Sequence, residues 1–259
     1  MQVEETLLTL KSDGKSKTHD FTTRVNIPLR TEGDEYFEIC IDKIDLWYSW
    51  DNISAARGNN KFVYNNGVDA DETITIPDGN YSIGGLNSYI QARMKANGDS
   101  NTGTTPESFY VIITPNINTN RVYMTVTGGF TVKFTDGTLY SLMGFNEDDE
   151  ITTSGDAPNI ADFLNGLSSV LFRCDIVDGY SSLLDGNSSN VLYSFFPASP
   201  PSSHIEIIPR NLLYLRVSQN FISEIRMRVT DQAGNKIDLN GEPVTYFLRL
   251  RKMKRREDN

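Results

Sequence analysis

Few residues of this 259-residue chain have types that invite chemistry: two histidines, two cysteines and some clustered carboxylates. A β-rich metalloenzyme needs several imidazoles and a carboxylate converging on one ion. Only His19, in a polar N-terminal stretch, and His204, where a strand-like run begins, are present. They are too few for a His-based centre in any fold. Asp69, Asp71 and Glu72, and then Glu147, Asp148, Asp149 and Glu150, offer oxygen ligands for calcium. Neither run keeps the spacing of a defined calcium loop, so both read as solvated acidic loops. Cys40 and Cys174 sit inside apolar alternating runs, where a thiol behaves as a small buried hydrophobe, and they are expected to be free. There is no G-x-S-x-G elbow and no Walker loop, and Gly84-Gly85 lacks the lysine and spacing that cradle phosphate. The expectation is a protein that is not an enzyme, with no metal, no cofactor and no small-molecule substrate.

Two other clusters suit binding rather than catalysis. Trp47, Tyr48 and Trp50 could stack on a sugar or base, or close a core strand at a packed edge. Arg249, Arg251, Lys252, Lys254, Arg255 and Arg256 place six positive charges in eight residues. The chain as a whole carries −10, so without these six it carries −16. Such a run is either a solvated tail or a tether to packaged DNA, an anionic lipid surface or an acidic partner. An acidic chain is otherwise a poor generic binder of nucleic acid, because that affinity comes from Lys and Arg.

Strands must position these groups. Leu213, Leu215 and Val217 alternate, as do Ile225, Met227 and Val229, and then Val244, Tyr246, Leu248 and Leu250. Phe37, Ile39 and Ile41 occupy odd positions but Ile44, Leu46 and Tyr48 even ones. That change of phase predicts a bulge near Asp42 and Lys43. Runs at 109–113, 122–126 and 130–134 read as a three-stranded meander closed by Gly128-Gly129. Ile83, Leu86, Ile90 and Met94 share a helical face that Asn97-Gly98 ends, and 139–145 reads as a short helical turn. No positive n-region precedes an apolar core at the start, and no run of about 18 apolar residues occurs, so synthesis in the cytosol is the expectation.

The order of certain motifs carries a resemblance. Val229, Thr230 and Asp231 are followed by Gly234 and then by Ile237, Asp238, Leu239, Asn240 and Gly241, ahead of a last alternating strand. Upstream stand Ser169 to Val177, a polar loop and Val191 to Pro197, and Ile76-Pro-Asp-Gly-Asn-Tyr81 leads into the predicted helix. In this order they resemble the penton, or minor capsid, proteins of virophages and Polinton (Maverick) elements. The resemblance implies a structural capsid protein of the virion, made in the host cytoplasm. It implies a homopentamer at the five-fold vertices of an icosahedral shell, beside a double-jelly-roll major capsid protein. The alternative is a jelly-roll binding module, lectin-like or cytokine-like, that recognises a glycan or receptor.

The fold expected is all-β: a single jelly-roll sandwich of two antiparallel sheets, with one short helix and long surface loops. Its expected bounds are an N-terminal arm at 1–20, one domain at 21–250 with loop excursions near 51–70, 97–107 and 146–166, and a basic tail at 251–259.

Overall fold

A computed structural model describes residues 4–13, 20–101, 103, 108–164, 167–179, 183–184, 187–199 and 202–254. Three strands come first: β1 (Glu4–Lys11), β2 (Asp20–Arg30) and β3 (Glu35–Trp47). Next are β4 (Lys61–Asn65), β5 (Glu72–Thr75), helix α1 (Ile83–Ala96) and the short pair β6 (Ser100–Asn101) and β7 (Ser108–Phe109). They lead to β8 (Val111–Asn116), β9 (Arg121–Val126), β10 (Thr131–Lys133), the one-turn helix α2 (Tyr140–Met143), β11 (Glu150–Ile151) and β12 (Gly155–Asp156). Then come β13 (Val170–Cys174), β14 (Leu183–Leu184), β15 (Asn187–Ser188) and β16 (Val191–Phe195). The last four are β17 (His204–Ile207), β18 (Leu215–Arg216), β19 (Phe221–Asp231) and β20 (Thr245–Lys254). Strands hold 47% of the described residues and helices 9%, which makes the protein all-β.

The chain gathers into two compact units, Met1–Trp50 with Leu167–Asn259, and Asp51–Gly166. The first is the jelly roll. One antiparallel sheet runs β1-β20-β3-β17, with β18 also on β3, and the other runs β16-β13-β19-β2. Taken in chain order, β1 and β3 belong to the first sheet and β2 to the second; β13 and β16 lie in the second, β17 in the first, β19 in the second and β20 in the first. That alternation is jelly-roll connectivity. The buried faces meet through aromatics: the Tyr246 ring lies 6.0 Å from Phe21 and 5.6 Å from Phe172. Ile225, Met227 and Val229 are buried together, and so are Tyr246, Leu248 and Leu250. Asp42 is the extra residue in β3, because Lys43 stands opposite Phe247 and Ile41 opposite Leu248, so both halves of the strand turn their apolar side chains inward.

Two expected boundaries change. Glu4–Lys11 is not an arm but a full strand on β20, since Leu8 and Leu10 align with Leu248 and Tyr246 and extend the inner face. The tail also starts later: β20 runs four residues past 250, with Lys254 still in register with Glu35. Leu213 departs from its alternation as well, being 68% exposed, because β18 holds only Leu215 and Arg216 against β3.

The second unit stands in the chain between β3 and β13, and it holds the three expected loop excursions within a core of its own. Its larger sheets are β11-β10-β4-β5 and β12-β9-β8, beside the two-stranded β6-β7. Phe62, Tyr64, Leu86, Ile90, Met94, Val122 and Phe134 are among the residues buried there. Helix α1 starts at Ser82, whose hydroxyl accepts from the Gly85 N–H at 3.1 Å. Asn87 on that helix accepts the Ile113 N–H at 2.8 Å and so satisfies part of the β8 edge. The predicted meander is only half right. β8 and β9 form the hairpin, but β10 pairs with β4 and β11 instead. Gly128 and Gly129, at φ +67° and +80°, make the turn. Phe130 then stacks 4.5 Å from Tyr110 and 6.2 Å from Tyr64 of β4, and this packing draws the chain to the other sheet. Fourteen of the 34 acidic residues and six of the 24 basic ones lie in 51–166, so this unit carries −8 of the net −10.

Candidate assembly surfaces

Because Tyr246, Leu248 and Leu250 point inward, Phe247, Arg249 and Arg251 point out from the first sheet. The Asp42 bulge brings a carboxylate to that outer face, where Arg249 Nε donates to Asp42 Oδ1 at 2.7 Å and Nη1 reaches Glu5 at 3.4 Å. Arg251 Nη2 lies 2.7 Å from Glu38, and its guanidinium sits 3.6 Å over the Tyr214 ring. The Tyr214 hydroxyl donates to Glu5; its removal from water, helped by that carboxylate, raises its pKa. Lys252 lies 3.8 Å from both Glu4 and Glu35, and Lys43 bonds Glu206 and Asp45. The six-residue basic cluster is therefore not one free block of charge. Arg249, Arg251 and Lys252 face carboxylates of their own sheet, Lys254 is the exposed last residue described, and Arg255 and Arg256 lie outside the described residues.

The 229–241 motif builds a connection rather than a site. Val229 is buried and its carbonyl accepts the Ile237 N–H at 3.2 Å. Thr230 Oγ1 accepts from Arg173 Nε at 3.0 Å. Asp231 Oδ1 accepts the Asn235 N–H at 2.8 Å around Gly234, and Asp238 Oδ1 accepts that of Asn240 at 2.9 Å. Leu239 is buried, and Asn240 and Gly241, at φ +55° and +79°, turn the chain toward β20.

On the second sheet, Asp20 is 7% exposed and is gripped by Arg226 through two bonds of 2.5 Å, with Lys236 at 3.2 Å. The Arg226 guanidinium chiefly, and Lys236 after it, hold the Asp20 carboxyl below its ordinary 3.8. A depressed carboxylate contributes stability above the unfolded value and loses it as pH falls through the folded one. Asp20→Asn is therefore expected to flatten the loss of stability below pH 3.8, measured as urea midpoints between about pH 5 and pH 3. An equal acid loss in both proteins would remove Asp20 from the acid transition.

The remaining candidates scatter. Trp47 is 42% exposed, edge-on to His204 at 5.4 Å, whereas Tyr48 and Trp50 are buried and stacked at 4.2 Å, so the three make no single platform. His19 lies outside the described residues. Asp71 is held by Lys133 at 2.9 Å, and Asp149 accepts the Asn146 N–H at 2.8 Å. Among the described residues no three His, Cys, Asp or Glu gather as a metal site, and no helix is long and apolar enough to cross a membrane. Both thiols are buried and unpaired, and burial pushes Cys174 up to about 12. The sequence reading missed an apolar group between β17 and β18, where Ile208, Leu212 and Leu213 are 65%, 40% and 68% exposed. A long connection with apolar residues on either side of a proline is the signal that marks it.

This architecture is a jelly-roll sandwich with a second unit inserted in the chain between its third and fourth strands. A solved structure of the same fold is the crystal structure of the mavirus penton protein. The two share 11% sequence identity, and the match covers 97% of this chain and 100% of that one at a TM-score of 0.52. No family model matches the sequence, and neither does any curated protein. At that identity the likeness is one of fold.

Proposed function

We propose that this chain is a capsid penton, a subunit that closes into rings of five at the five-fold vertices of an icosahedral shell, as the motif order in its second half implies. The observation that carries the reading is the likeness to the mavirus penton protein, which takes in the inserted unit as well as the jelly roll and leaves none of that chain unmatched. Two surface features agree with it. The exposed Ile208, Leu212 and Leu213 supply apolar area of the kind subunit contacts bury. The jelly-roll unit carries only −2, so copies packed through it repel one another little. In a ring each contact is heterologous, one patch meeting a different patch.

The partners of this reading are four further copies and a double-jelly-roll major capsid protein, and its place is the virion, after synthesis in the host cytoplasm. Contact with packaged DNA or anionic lipid then rests on Lys254, Arg255 and Arg256 rather than on all six basic residues. Light scattering across a concentration series is expected to show a species of five subunits. A stable trimer with nothing larger would favour the cytokine-like module instead, and a strict monomer would sink the penton.

A further inference from the structure

The first sheet ends at β1, and among the described residues no strand pairs with its outer edge. The Ser12 N–H donates to the Val244 carbonyl at 3.0 Å, one step beyond the Lys11–Thr245 pair. In an antiparallel ladder this parity turns the backbone groups of even residues toward β20 and those of Glu5, Leu7, Thr9 and Lys11 away from it. Those four side chains are also exposed, Leu7 by 61%, and on the inner face Leu8 is only half-buried where Leu10 is 3% exposed. Natural edges are usually blunted by proline or by charge along the strand. β2, at the edge of the second sheet, has Pro28, whereas β1 has no proline and no charge between Glu5 and Lys11. Lys43, Arg249, Arg251 and Lys252 all have carboxylate partners, but Lys11 has none among the described residues.

We propose that this edge docks a second copy of β1, antiparallel, about a two-fold axis that passes midway between the two Leu8 residues. Only odd residues offer outward backbone groups, so odd must face odd, and few registers remain. With Leu8 opposite Leu8, Leu7 faces Thr9 and Glu5 faces Lys11 at both ends, which gives each Lys11 a carboxylate. Centring on Leu7 sets Glu5 against Thr9, and centring on Thr9 sets Leu7 against Lys11. A parallel, in-register pairing sets like charges side by side. The contact goes beyond the five-fold packing proposed above, because it is two-fold: it joins free subunits, or subunits of different rings.

The test uses the full-length protein. Leu8→Cys is expected to give a disulfide-linked dimer under mild oxidation, since residues facing each other in a non-hydrogen-bonded pair sit about 4.5 Å apart at Cα. Leu7→Cys, opposite Thr9, is expected to cross-link on the order of tenfold less; the native thiols are buried and remain silent. Thr9→Pro removes an outward N–H that no described strand uses, and it is expected to weaken two-fold association by about tenfold in sedimentation with the circular dichroism unchanged. Absent cross-linking, equal yields at 7 and 8, or unchanged association in Thr9→Pro overturns the proposal. A five-subunit ring that survives Thr9→Pro while the two-fold link is lost upholds it. A ring lost with that variant assigns the edge to the five-fold contact and overturns the two-fold one.

Discussion

Met227→Asp is expected to leave the protein unable to fold. Met227 is fully buried on the inner face of β19, in register with Cys174 on one side and Phe21 on the other. Among the described residues no Lys or Arg is buried, so an ionised carboxylate there loses its hydration with nothing to replace it, and a neutral one must bind a proton and still lacks a partner. The loss is expected to exceed about 4 kcal/mol, a large part of the 5–15 kcal/mol that holds a typical domain. Met227→Leu, which nearly conserves volume, is expected to cost under about 1.5 kcal/mol. Denaturant unfolding followed by circular dichroism measures both. A cooperative transition for Met227→Asp within about 1 kcal/mol of the wild type would show that β19 faces the other way. The neighbouring Arg226 points outward yet is no neutral control, because Arg226→Asp would set a second carboxylate against Asp20.

Truncation after Leu250 is the second large effect, a loss of stability where a free tail predicts almost no change. Residues 251–254 pair in register with 35–38 of β3, and Arg251 and Lys252 also pair with Glu5 and Glu4 of β1. Deletion removes those ladder bonds, each worth about 0.5–1.5 kcal/mol net. It also leaves Glu38 without Arg251, and Tyr214 without the guanidinium over its ring. A drop in Tm of about 10 °C or more is expected by differential scanning fluorimetry. Truncation after Lys254, which spares the strand, is expected to change Tm by less than about 2 °C. If both truncations leave Tm alone, the end of β20 carries no stability and the free tail returns.

The strands that close the sandwich were legible because one face is buried and the other wet: the alternation in β19 and β20 and the change of phase at Asp42 follow from that alone. α1 was legible from its 3-4-4 spacing and its caps. What the sequence did not disclose depends on distant partners. In EETLLTLK the adjacent Leu7 and Leu8 break the alternation, so it does not announce a sheet strand until Leu248 and Tyr246 stand beside it. The basic run reads as a tail until Asp42, Glu38 and Glu35, more than two hundred positions earlier, are seen to face it. The turn at Gly128-Gly129 fixes a reversal but not a sheet, and stacking of Phe130 decides that. The inserted unit stayed hidden because its loops and strands look like those of the frame around it.

The place of β20 between β1 and β3 has a consequence for how the molecule comes into being. This interior strand comes after every other described strand of the first sheet in chain order, so neither β1 nor β3 can complete its pairing until residues 245–254 arrive. Closing loops of that span is slow, since the chain entropy is lost before the contacts form. Residues 51–166 are continuous and pair among themselves, so they can fold during synthesis while the strands that flank them wait. In that interval β1, with an open edge on both sides, is the segment most exposed to a wrong partner.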